Sequence, residues 1–102
     1  MALKKQFLKT KAVCKVTFTL PAEAVISANS VHLVGDFNDW SYTATPMKRA
    51  KDGSCSATLE LHTGKEYQFR YLLDGARWEN DWDADKYVAT AFGDSENSII
   101  IL

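Results

Sequence analysis

The chain has 102 residues, enough for one domain and too few for two cores. Apolar residues make up 46% and charged residues 25%, and 12 Lys and Arg against 13 Asp and Glu leave a net charge of −1. This balance, with no basic patch, argues against nucleic acid or an anionic membrane surface as partner, and no apolar run is long enough to span a bilayer.

The first twelve residues, MALKKQFLKTKA, carry lysines without an apolar core behind them or a small-residue cleavage site, so they do not read as a secretory signal. They are expected to form a solvated lead-in, residues 1–12, whose Leu3, Phe7 and Leu8 cover one sheet edge; docking on a partner is the other reading. The domain proper is expected over residues 13–102. From Val13 to Leu20 the chain alternates, with Cys14, Val16, Phe18 and Leu20 on one face and Lys15, Thr17 and Thr19 on the other, the pattern of a half-buried strand. Pro21 stops it, and residues 22–30 form a connection with room for one helical turn.

Residues 31–34 form a second apolar strand that runs into Gly35-Asp36-Phe37-Asn38-Asp39-Trp40. Gly35 permits a bend there, and the Asp and Asn side chains can bond their own backbone to hold it. Phe37, with no polar atom, is expected to plug the core while Trp40 faces outward. An outward Trp on a tight loop is either a ligand platform or a flat cap over the sandwich edge. Residues 45–49 read as a short edge strand, because Pro46 is tolerated only there. Lys51-Asp52-Gly53 is a hairpin turn, after which Cys55, Ala57, Leu59 and Leu61 alternate with polar residues.

After a turn at Thr63-Gly64-Lys65, the longest strand puts Tyr67, Phe69, Tyr71 and Leu73 inward and Gln68, Arg70 and Leu72 outward. Asp74-Gly75 then turns the chain so that Trp78 returns beside Arg70. Residues 79–85 are acidic and too short for a stable helix. Residues 87–91 are irregular or a short strand, 92–94 bend, and 98–102 close the chain as an apolar strand. Six or seven short strands separated by turns indicate an all-β antiparallel sandwich. Its core is expected to hold Cys14, Val16, Phe18, Leu59, Tyr67, Phe69 and Tyr71.

Catalytic signals are weak. No Ser or Cys sits in a nucleophile elbow, and His32 and His62 lie on different strands outside any base motif. Cys14, His32, Cys55 and His62 lack the close pairing of a zinc site. Asp81-Trp82-Asp83-Ala84-Asp85 opens like a calcium loop, but Lys86 stands where glycine is needed and Phe92 where the bidentate Glu belongs, so it reads as a solvated acidic turn. A glycosidase carboxylate pair drawn from the same segment would lack the deep cleft that raises one acid's pKa. No metal and no cofactor are expected. Without an export signal, both cysteines are expected as reduced thiols in the cytoplasm.

The aromatic and amide residues carry more. Trp40, Trp78 and Trp82 fall in turns or at strand ends, off the alternating core phases, with Arg70 on an outer phase and Asn38, Asn80 and Asn97 in the same loops. Flat rings stack on the C–H faces of a pyranose, and amides and a guanidinium bond its hydroxyls. Three tryptophans sealing a small sandwich is the structural alternative.

Gly35-Asp36-Phe37-Asn38-Asp39-Trp40, Tyr67-Gln68-Phe69-Arg70-Tyr71, Asp74-Gly75, Trp78-Glu79-Asn80-Asp81 and Asn97-Ser98-Ile99-Ile100, in that order, resemble the family-48 carbohydrate-binding module. This is the early-set, immunoglobulin-like domain of isoamylases and glycogen branching enzymes, and the glycogen-binding domain of the AMP-activated protein kinase β subunit. The chain looks most like short bacterial stand-alone versions of it. The resemblance implies an immunoglobulin-like sandwich that binds α-glucans without catalysis, or a domain that docks on a glycogen-metabolising enzyme or kinase. It implies glucan contacts at Trp40, at Trp78, at Arg70 where the kinase-type domain has lysine, at Phe92 before Gly93, and at Asn97. Trp82 stands where the pattern has proline and either extends this platform or packs.

Overall fold

The computed structural model describes residues 2–90 and 95–102. Nine strands are found among them: β1 (Ala2–Phe7), β2 (Val13–Leu20), β3 (Val31–Gly35), β4 (Lys48–Arg49), β5 (Cys55–His62), β6 (Glu66–Leu73), β7 (Arg77–Glu79), β8 (Lys86–Ala89) and β9 (Glu96–Ile101). One helical turn, α1 (Ala22–Val25), lies between β2 and β3, and one 3₁₀ turn, Asp36–Asn38, follows β3. The strands form two antiparallel sheets, ordered β1-β2-β5-β4 and β3-β6-β9-β8, with β7 also on β6. Along β6, β3 occupies one side, while the other is shared by β9 over the first half and β7 over the second.

Period-two alternation explains the core. Cys14, Val16, Phe18 and Leu20 of β2 face Tyr67, Phe69, Tyr71 and Leu73 of β6 from opposite sheets, and all are buried in one cluster. Phe37 plugs this cluster as expected: its ring lies 5.6 Å from Phe18, 6.2 Å from Tyr67 and 6.4 Å from Phe69. Leu59 packs against the core but is only partly buried, because β4 pairs with β5 only at Cys55 and Ser56 and leaves the rest of that edge uncovered. Cys14 lies opposite Leu61 and Cys55 opposite Leu20. Six residues of strand therefore separate the two buried thiols, about 20 Å at the rise of a strand, against a Cα separation under about 7 Å for a disulfide.

Three features depart from the sequence reading. The first segment is no lead-in over a sheet edge: Ala2–Phe7 is itself a strand, paired with β2 from Ala2↔Thr19 to Phe7↔Cys14. Lys5, opposite buried Val16, falls on the inward phase and reaches across to the second sheet, where its Nζ bonds Asp85 Oδ2 at 2.7 Å and the Ile101 carbonyl at 3.0 Å. The expected edge strand at residues 45–49 is divided between sheets. Met47 N–H bonds the Val31 carbonyl at 2.8 Å and the Thr45 carbonyl accepts Leu33 N–H at 2.9 Å, while Lys48–Arg49 crosses to β5.

The acidic segment is not a solvated turn throughout. Asp81 is fully buried and accepts the Tyr71 hydroxyl at 2.7 Å. Its N–H donates to Ser98 Oγ at 2.9 Å, its Oδ1 accepts Asp83 N–H at 2.8 Å, and its carbonyl accepts the Tyr87 hydroxyl. Burial, and then the carboxylate of Asp81, push the Tyr71 phenol far above its ordinary range. A buried carboxylate is tolerated when its oxygens are bonded in this way. Among the described residues no helix is long and apolar enough to cross a membrane.

Candidate functional site

The outward face of the second sheet carries the candidate site. A buried layer lies here apart from the main core: Val34 of β3, Leu72 of β6 and Ile99 of β9 are 0%, 1% and 3% exposed. Leu72, expected outward, keeps that phase and is nonetheless buried, with Trp78 of β7 directly opposite it in register. Above this layer opens a cleft of about 690 Å³ whose described lining is Trp40, Tyr42, Gln68, Arg70, Trp78, Ala89, Thr90, Ser95 and Asn97. Its volume falls within the range of about 300–1,000 Å³ common for small-molecule sites.

The Trp40 loop is held by its own polar residues. Asn38 Nδ2 donates to the Leu33 carbonyl at 2.8 Å and to Thr45 Oγ1 at 3.0 Å, and its Oδ1 accepts Gly35 N–H at 3.1 Å. Trp40 N–H then closes the turn on the Gly35 carbonyl at 2.9 Å. Asp39 and Trp40 both take left-handed backbone angles, φ 54° and 57°. A bulky residue there is uncommon, and such strain persists where surrounding bonds over-determine it. Gly35 serves this loop otherwise than the sequence suggested. Its φ is −176°, open to any residue, but a Cβ would lie 2.5 Å from the Gln68 carbonyl oxygen and 2.8 Å from Phe69 Cβ. The glycine is needed for close approach of β3 to β6.

A hydrogen-bonded rail crosses the floor. Trp40 Nε1 donates to Asp36 Oδ1 at 2.9 Å, and Asp36 Oδ2 accepts the Gln68 backbone N–H at 2.8 Å. Gln68 Oε1 accepts Asn97 Nδ2 at 2.9 Å, and Asn97 Oδ1 accepts Arg70 Nε at 2.6 Å. Bonding through Nε fixes the guanidinium plane and leaves its two terminal amino groups without a hydrogen-bond partner among the described residues. Trp78 is 38% exposed, and Tyr42, 57% exposed, meets it edge-on at 5.3 Å and 80°. The cleft therefore offers ring faces, one planar multi-donor cation and amides, a combination that stacks on and hydrogen-bonds a sugar.

Of the six residues picked out from the sequence, Trp40, Arg70, Trp78 and Asn97 line this cleft together. Trp82, 55% exposed, is not among the lining residues; its indole N–H donates to Glu79 Oε1 at 3.3 Å. Phe92 lies outside the described residues. Asn38 and Asn80, read with Asn97 as sugar-bonding amides, are occupied elsewhere: Asn38 ties the loop, and Asn80 bonds Ser98 and the Glu96 carbonyl. Sequence reasoning passed over Tyr42 and Gln68. Tyr42 carried the signal that marked Trp40, an aromatic in a polar loop, and Gln68 shares the outer phase of Arg70.

A family model described as carbohydrate-binding module 48, the isoamylase N-terminal domain, matches residues 12–92. The chain belongs to this family. No curated protein matches it. The two sheets are accordingly the immunoglobulin-like sandwich of a carbohydrate-binding module 48 domain. The matched span takes in Trp40, Arg70, Trp78, Trp82 and Phe92, while β1 and Asn97 lie beyond it. Carbohydrate binding is the function of such a module.

Proposed function

We propose that this carbohydrate-binding module binds α-glucans, such as glycogen, starch-like chains or cyclic malto-oligosaccharides, in the cleft beside β6 and without catalysing a reaction on them. One observation supports the reading: Trp40, Arg70, Trp78 and Asn97, distant in sequence, border a single cleft with accessible ring faces and with guanidinium donors that no described residue occupies. Trp40 and Trp78 stack on glucose units, Arg70 and Asn97 bond their hydroxyls, and Phe92 supplies the further apolar contact that the family pattern assigns to it. The binding module spans residues 13–102, with β1 as an added edge strand, and works in the cytoplasm.

Stacking removes about 100 Å² of apolar surface per indole, or about 2–3 kcal/mol each by area. Association and ordering consume much of this, so affinities fall in the range of about micromolar to millimolar. Native gel electrophoresis with dissolved glycogen tests the reading, followed by titration with maltoheptaose. Wild type is retarded by glycogen, and Trp40→Ala and Trp78→Ala each lose about tenfold in affinity while melting close to wild type. A mutant that binds as well as wild type, or one that unfolds, would make the tryptophans structural. Docking on a glycogen-metabolising enzyme would then be the better account.

A further inference from the structure

Trp40 stands on a strained turn, and its ring is only partly buried. The polar anchor of the indole is one exposed carboxylate. Asp36 Oδ1 accepts the indole N–H at 2.9 Å while Oδ2 accepts the backbone N–H of Gln68 at 2.8 Å, so one residue straps the ring to β6. The strapped residue is the one whose side chain leads through Asn97 to Arg70. Asp36 is not among the described lining residues of the cleft.

We propose that Asp36 is the positioning residue of the site: it presets the Trp40 ring relative to Arg70 before any sugar arrives. This rests on reading the cleft as a glucan site. An ionised acceptor strengthens the indole bond. Because the indole has only one donor and Asp36 takes it, Trp40 presents its π-face and offers the sugar no hydrogen bond. A ring held in its bound orientation loses no rotamer freedom on binding, an advantage of about three- to tenfold in affinity. Asp36 thus acts on the ligand through Trp40.

A double-mutant cycle tests this, with maltoheptaose affinity measured for wild type, Asp36→Ala, Trp40→Ala and the double variant. Asp36→Ala is expected to lose about three- to tenfold, and to lose nothing further in the Trp40→Ala background. An undiminished affinity, or an equal loss in both backgrounds, would overturn the proposal. Asp36→Asn, which keeps one acceptor oxygen where Asp36 uses two, replaces the alanine variant if that fails to fold, with a smaller loss of the same pattern. A second readout needs no glucan. With Trp78→Phe and Trp82→Phe, Trp40 is the last of the three tryptophans. Its time-resolved fluorescence anisotropy should show an immobile ring that gains fast local rotation on Asp36→Ala. Unchanged rotation would refute the strap even if wild type bound no glucan, a result that would sink only the glucan reading.

Discussion

Gly35→Ala isolates the contact between β3 and β6. The added Cβ would lie 2.5 Å from the Gln68 carbonyl oxygen, 2.8 Å from Phe69 Cβ and 3.0 Å from Phe37 Cζ. The first two belong to the backbone and to a β-carbon, which no rotamer change can move, so the paired strands themselves must part. Over-packing of this kind costs about 1–3 kcal/mol, and the upper end applies where the backbone must shift. The stiffer unfolded chain returns about 0.4–1 kcal/mol, leaving a net loss of about 2 kcal/mol. For a domain of this size that lowers the melting temperature by about 8–16 °C. Gly64→Ala is the control. It has φ 82° and nothing within 4 Å of the new Cβ, so it tests the left-handed backbone alone. Its cost of about 1–2 kcal/mol is roughly halved by the same return, leaving a net loss of about 0.5–1 kcal/mol, smaller than that expected for Gly35→Ala. Thermal unfolding followed by circular dichroism compares the two. If Gly35→Ala melts as high as Gly64→Ala, close approach is not why glycine stands at position 35.

Tyr71→Phe removes the hydroxyl bonded to buried Asp81 and leaves that carboxylate short of a partner, so urea denaturation should show a loss of about 1–3 kcal/mol. A loss under about 0.5 kcal/mol would mean that water replaces the bond. Asp74, at φ 55° after β6, accepts the N–H groups of Ser30 and Asn29 at 3.0 and 2.7 Å, and these bonds, that of Ser30 first, lower its pKa below the ordinary 3.8. A depressed carboxylate stabilises the fold above its unfolded pKa and ceases to as the pH falls through its folded pKa. The stability advantage of wild type over Asp74→Asn should therefore be constant at neutral pH, begin to fall near pH 3.8 and be gone only below the lower folded pKa, and a pH-independent gap in guanidinium denaturation would contradict it.

Much of the sandwich was legible because burial of one face imposes a period of two. Cys14, Val16 and Phe18, like Tyr67, Phe69 and Tyr71, announce their strands before any contact is known. The cleft was legible where a residue breaks that rule, as Trp40 and Trp78 do by lying in or beside turns and Arg70 by taking the outer phase. What escaped depends on partners far along the chain. β1 puts Lys5 on its inward phase, and only its pairing with β2 makes it a strand. Asp81 reads as one acid among several until Tyr71 and Ser98 close around it. Asp36 looked like a turn former, and its grip on both Trp40 and Gln68 could be seen only once β3 lay against β6.

The position of Lys5 bears on how the molecule keeps to itself. Among the described residues β1 ends the first sheet, so one of its sides presents N–H and C=O groups that no described strand pairs. A second molecule adding its own β1 there would continue the sheet and bring its own inward lysine and ion pair with it. Each lysine is already tethered to Asp85 and the Ile101 carbonyl, and neither can turn outward without breaking those bonds. An inward-pointing charged pair at the edge strand is poorly matched to a further packed strand and opposes such extension. The same lysine that ties the two layers together thus discourages the rim from templating a filament, and Lys5→Leu would trade that protection for a greasier, stickier edge.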